Sequence, residues 1–132
     1  MQENELQKKY LEFQLLNEKL IHLQEQHSLL QTHLNELSTT LSSLEEISSL
    51  KKNKDILIPL SNNIFTKANL NPVNTLLVGV GSNLLIENSA EEASQSIEEQ
   101  RKELIILLKK IEAEFSRITQ AIKLIQPEIA HQ

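Results

Sequence analysis

Three histidines, His22, His27 and His33, stand close together in the first third of the sequence, and coordination chemistry is the first use to test for them. Zinc needs ligands that converge, and gaps of five and six residues do not bring three imidazoles to one face of a helix. Cysteine is absent and no carboxylate pattern completes a site, so the reading is no metal. Two glycines in the whole chain leave no glycine-rich loop to cradle a phosphate. No cofactor and no catalytic constellation are expected, and an enzyme is the least favoured class. The chemistry that remains is apolar contact, and which residues offer it depends on the elements that carry them.

Stepping alternately three and four residues from Leu6 gives Leu6, Lys9, Phe13, Leu16, Leu20, Leu23, His27, Leu30, Leu34, Leu37, Leu41 and Leu44, with ten of the twelve positions apolar. That is the seam of a coiled coil. Ile97, Arg101, Leu104, Leu108, Ile111, Phe115, Ile118, Ile122, Ile125 and Ile129 repeat the spacing, nine of ten apolar. Ser89 followed by Glu92 predicts a capping box at the start of this second helix. The two seams span roughly 57 and 48 Å at helical rise, which predicts an antiparallel pair whose facing residue numbers sum to about 140. Both chain ends then meet at a tip. Lys9, His27 and Arg101 interrupt the seams and are expected to snorkel or hydrogen-bond there and fix register.

Between the helices the period changes from 3.6 to 2. "DILIPL", "IFTKANL", "TLLVGVG" and "LLIEN" are separated by "SNN", "NPVN" and "SN", which predicts two consecutive β-hairpins. Ser82-Asn83 suits a two-residue connection beside Gly81, and Asn71-Pro72 marks the break between the hairpins. Pro59 makes its strand an edge or a beginning. Such short strands cannot cover their own apolar residues, namely Ile56, Ile58, Ile64, Phe65, Leu76, Val78, Val80, Leu84 and Ile86. These are the expected oligomerisation residues, because an uncovered sheet requires other subunits to complete it.

Five apolar side chains fall off the seams near the shared tip: Tyr10, Leu11, Leu15 and Ile21 on the first helix and Leu124 on the second. Single exposed apolar residues are ordinary, but their gathering at one end marks a binding surface. Ile105, Ile106 and Leu107 also lie off or beside the seam, further along, where they could pack on a neighbouring arm. The net charge of -5, from 18 acidic and 13 basic residues, gives no footprint for nucleic acid. No apolar run is long enough for a membrane span, and the polar start lacks a secretory pattern, so a cytoplasmic location is expected.

A coiled coil, then "ILIPLSNNIFTKANLNPVNTLLVGVGSNLLIENSAEEA", then a second coiled coil resembles the α-type subunit of prefoldin, the class of the archaeal α subunit and of subunit five of the eukaryotic complex. "ILIPL", "VGVGSNLLIE" and "SAEEA" carry the motif-level likeness. The family's last hairpin usually has a glycine-rich turn and an aromatic, where this chain has Ser82-Asn83 and Leu84-Leu85. The resemblance implies an α+β fold, predominantly α: an antiparallel two-helix coiled coil with a central insertion of two β-hairpins that completes an inter-subunit β-barrel. The expected organisation is a helix over 1–52, the hairpins over 53–88 and a helix over 89–132, together one domain. It further implies an ATP-independent holdase with two α and four prefoldin β-type subunits, whose tips bind non-native client proteins and deliver them to a group II chaperonin. The rival reading is a structural tether or adaptor that merely oligomerises through its hairpins.

Overall fold

A computed structural model describes residues 2–49, 54–70 and 75–130 of the 132. The element order is α1 (Gln2–Ser49), β1 (Lys54–Ser61), β2 (Ile64–Leu70), β3 (Leu76–Gly81), β4 (Leu84–Asn88) and α2 (Ala90–Ala130). The fold is thus two long helices enclosing two small antiparallel hairpins, β1 with β2 and β3 with β4, as the periodicities require. The expected break at Asn71-Pro72 and the boundary at 52/53 fall outside the described residues.

The chain divides into two compact units. One comprises residues 1–35 with 102–132, and the other residues 36–101. In the first, α1 and α2 run antiparallel, fixed by two cross-helix contacts: Lys9 Nζ lies 2.9 Å from Glu128 Oε2, and His27 Nε2 lies 3.2 Å from Glu112 Oε1. These residue numbers sum to 137 and 139, close to the expected offset. All seam positions of both helices are at least partly withdrawn from solvent, while the Glu, Gln and Lys residues between them stay mostly exposed. Ile118, at 1% exposure, is the most completely buried large side chain. A seam of leucine and isoleucine forms because two helices can each hide one stripe and no more.

The second unit holds the end of α1, both hairpins and the start of α2. Leu37, Leu44, Ala93 and Ser94 are withdrawn from solvent here, and the burial of Ala93 shows how closely the first turns of α2 are approached. Helix α1 continues to Ser49, past the point where the seam pattern fades at Leu44. Helix α2 opens as its sequence dictates. The Glu92 N–H donates to Ser89 Oγ at 3.0 Å, the Ser89 hydroxyl lies 3.0 Å from Glu92 Oε1, and the Ala93 N–H donates to the Ser89 carbonyl. Serine and glutamate therefore clasp one another, with Glu91 and Glu92 at the positive end of the helix dipole.

Each hairpin closes through a two-residue connection. In β3–β4 both connecting residues, Ser82 (φ 51) and Asn83 (φ 60), are left-handed, as the type I′ turn demands. Gly81 sits beside them at φ 100 in open space, so a side chain there would meet backbone strain rather than a clash. In β1–β2 only Asn63, at φ 58, is left-handed. Both ladders shift register just before the turn, between Pro59 and Ser61 and between Gly79 and Gly81, so Leu60 and Val80 are the extra residues of bulges. Pro59 lies within β1, paired with Phe65, and a two-stranded ladder leaves it the open edge its missing N–H requires.

Candidate functional site

Two sets of apolar side chains remain uncovered, one in each unit. The first lies on the helix pair. Tyr10, Leu11, Leu15, Ile21 and Leu124 are 52% to 74% exposed although the seam beside them is closed. Exposing an apolar side chain forgoes the roughly 25 cal/mol that each buried Å² would supply, so a cluster of them invites a partner.

Tyr10 and Leu11, with Leu6, Gln7, Gln14 and Ile129, line a groove of about 450 Å³ between the helices. Its walls are mostly hydrocarbon, and its polar side-chain groups are uncharged, the amides of Gln7 and Gln14 and the hydroxyl of Tyr10. A surface of this kind accepts apolar side chains with little demand on their shape or sequence. The groove brings two of the five expected residues together with the seam residues Leu6 and Ile129; Leu15, Ile21 and Leu124 do not line it.

The basic residues of the seams each meet a carboxylate. Lys9 reaches Glu128 and His27 reaches Glu112, both across the helix pair, whereas Arg101 Nη1 donates to Glu98 at 3.2 Å within α2. Arg101 Nε is buried and has no hydrogen-bond partner. The hydrogen bond from Lys9 to Glu128, aided by the attraction of that carboxylate and more weakly of Glu5 and Glu12, raises the Lys9 pKa above its ordinary value. On α2, Arg117 holds Glu114 below the usual carboxylate range. A second groove of about 440 Å³, lined by Gln24, His27, Ile111, Glu112 and Phe115, lies beside the His27 contact. Among the described residues no three histidine, aspartate or glutamate side chains are grouped to hold a metal ion, and no helix is long and apolar enough to cross a membrane.

The second set lies on the hairpins. Of the residues expected to join subunits, Ile56, Leu76 and Val78 are half-buried, while Ile58, Ile64, Phe65, Val80, Leu84 and Ile86 are exposed by 41% to 62%. Sequence reasoning missed Leu57, Leu77 and Leu85, each more than 60% exposed. Leu57 shares its face with Phe65, which pairs with the nearby Pro59, and Leu77 and Leu85 lie on the face opposite Val78 and Ile86, so each ladder carries apolar groups on both faces. The unbroken runs "ILI" and "TLLV" carried that signal, since a strand covered on one face alternates and a strand covered on both does not. Leu29, 73% exposed on α1, was also missed.

This architecture has known counterparts. The family model described as Prefoldin subunit matches residues 16–132. The prefoldin α subunit of Thermofilum pendens is 30% identical over 118 residues, covering 89% of this chain and 92% of that one. The prefoldin α subunit of Pyrococcus horikoshii is 29% identical over 119 residues, covering 89% and 80%. Among solved structures, filamentous PFD from Methanocaldococcus jannaschii superposes with a TM-score of 0.73 at 21% identity over 87% of this chain and 95% of that one. The prefoldin β subunit from Thermococcus strain KS-1 gives 0.62 at 15% identity over 95% and 89%, so both structures speak to the fold.

Two helices around paired hairpins define the prefoldin class of chaperone subunit, and the chain belongs to the prefoldin family as an α-type subunit. Its role is accordingly that of a chaperone-type subunit.

Proposed function

We propose that this chain is one of two α-type subunits that join four β-type subunits in a cytoplasmic, ATP-independent holdase. In this reading residues 53–88 are the assembly segment, and residues 1–52 and 89–132 form the client-binding arm. The hairpins lend Ile56, Ile58, Ile64, Phe65, Leu76, Val78, Val80, Leu84 and Ile86 to an inter-subunit β-barrel. Tyr10, Leu11, Leu15, Ile21 and Leu124 hold non-native protein until a group II chaperonin receives it.

The observation that carries the reading is the exposure of those five side chains beside a closed seam. A helix pair that served only as a spacer would have no reason to keep an apolar rim, because its seam already supplies the stability. Several such rims in one particle add through effective concentration, so each contact can stay weak and indifferent to sequence.

The deciding experiment mixes the purified chain with a β-type subunit and reads particle mass by light scattering, then tests whether the particle suppresses aggregation of an unrelated denatured protein. The reading expects two copies of this chain with four of the other, and suppression without nucleotide. A chain that takes one cognate partner and holds no unfolded protein would be a tether instead.

A further inference from the structure

Ile129 walls the groove that Leu6, Tyr10 and Leu11 line, and it stands two residues beyond Pro127, the proline inside α2. Proline has no N–H, so the carbonyl of Lys123 loses its helical donor and the turn that follows is joined to α2 by one backbone bond fewer. Glu128, in that same turn, reaches across to Lys9 at 2.9 Å. The turn carrying one wall of the groove is therefore weakened where it leaves α2 and tied by an ion pair to α1.

The charges around that tie make it one-sided. Lys9 is flanked by Glu5 and Glu12 on its own helix and faces Glu128 from α2, three carboxylates that favour its charged form. Remove the ammonium and three like charges remain, whose repulsion biases the turn away from α1. Both partners are about half exposed, at 44% and 51%, so salt screens the attraction readily. An exposed pair of this kind biases an equilibrium by no more than about fivefold.

We propose that the last turn of α2 is a salt-labile latch: the Lys9–Glu128 pair holds the turn after Pro127 against α1, and its release moves Ile129 away and widens the groove for an incoming apolar side chain. What enters the groove rests on the client-holding function proposed above; the latch itself does not. A closed latch keeps Leu6 and Ile129 partly withdrawn from solvent while no client is present, and a weak latch costs an arriving client little to release.

The chain carries its own reporter, because Tyr10 is its single tyrosine and there is no tryptophan. Acrylamide quenching of Tyr10 and amide exchange of Glu128–Ala130 are measured together on the full chain, from low to high salt, with circular dichroism to confirm helicity. Expected is a rise in exchange of about two- to fivefold with salt, accompanied by stronger quenching. Lys9→Gln shows the open values already at low salt and loses the salt response. Pro127→Ala slows exchange of the same turn, whereas Arg117→Gln, which breaks only the Glu114 pair within α2, changes neither readout.

Exchange and quenching that ignore salt in the unmutated chain overturn the latch, and that result stands even if Lys9→Gln fails to fold. Aggregation suppression by the assembled particle separates the two ideas. A latch that opens as expected in a particle that holds no client sinks the client reading alone. Undiminished client holding, with no salt response at the turn, sinks the latch alone.

Discussion

Val78 on β3 and Ile86 on β4 stand opposite one another across the ladder, the first half-buried and the second 45% exposed. Paired β-branched residues of this kind are the unit from which a sheet draws its stability. Here the hairpin leaves both of them partly open to solvent. Leu77 and Leu85, on the opposite face, are barer still. In the assembly proposed above, a ladder built this way is half of an interface.

Val78→Asp puts a charge on the face that other subunits are proposed to cover, and burying an unpaired carboxylate is prohibitive. The expected outcome is loss of the mixed particle on a sizing column with light scattering, while helicity by circular dichroism stays that of the parent. A particle that forms normally would remove the hairpins from the assembly surface.

Leu11→Ser, Leu15→Ser and Leu124→Ser each delete an exposed apolar group proposed to touch client, worth about 1 kcal/mol if buried there. Combined, they are expected to lower aggregation suppression severalfold without altering particle mass. Since the sites are exposed, each is expected to shift the urea-unfolding free energy by less than about 0.5 kcal/mol.

Ile118 gives the opposite pattern. At 1% exposure it fills the seam from α2, and Ile118→Ala is expected to cost about 2–5 kcal/mol in urea unfolding through lost burial and the cavity left behind. Leu29→Ala, at a residue 73% exposed, serves as the contrast and is expected to be nearly neutral.

Ser89→Ala removes the oxygen that accepts the Glu92 N–H and is expected to cost about 1 kcal/mol. Faster amide exchange confined to the first turn of α2 is the signature; a change spread along the whole helix would point to a different role for the serine.

The charge pairs act in separate pH ranges. Lys9 has its pKa raised by Glu128, so the contribution of that pair is complete below the ordinary 10.5 and is lost as pH climbs through the raised value. Glu114 has its pKa lowered by Arg117, so that pair contributes fully above the ordinary 4.5 and is lost as pH falls through the lowered value. Side-chain carbon shifts in an NMR titration are expected to place the Lys9 step above its ordinary value and the Glu114 step below its own.

The seams were legible because a coiled coil writes its buried stripe at a spacing no other element shares. The positions read from Leu6 to Leu44 and from Ile97 to Ile129 are the ones withdrawn from solvent. The hairpin turns were legible for a similar reason, since the tolerance of Asn63 and Asn83 for left-handed backbone and the freedom of Gly81 are chemical properties of those residues. Depth of burial was not legible. Leu37 and Leu44 are buried while Leu41, at an equivalent seam position between them, is only half-buried, because depth depends on what the facing helix brings to each level. The second apolar face, Leu57, Leu77 and Leu85, was missed because alternation was read as marking one face. The partners of Lys9 and His27 required knowing the offset between helices to within a residue, which spacing alone does not supply.

A ladder greasy on both sides is also a problem of supply. Until it is covered, Leu57, Phe65, Leu77 and Leu85 form the short, charge-poor, β-prone patches that seed aggregates. Under the assembly proposed above, a cell making more of this chain than of the subunits that cover it is expected to accumulate an orphan that itself needs a chaperone. Balanced synthesis, or prompt destruction of the surplus, is thus a condition that the shape of two small hairpins imposes on the economy of the cell.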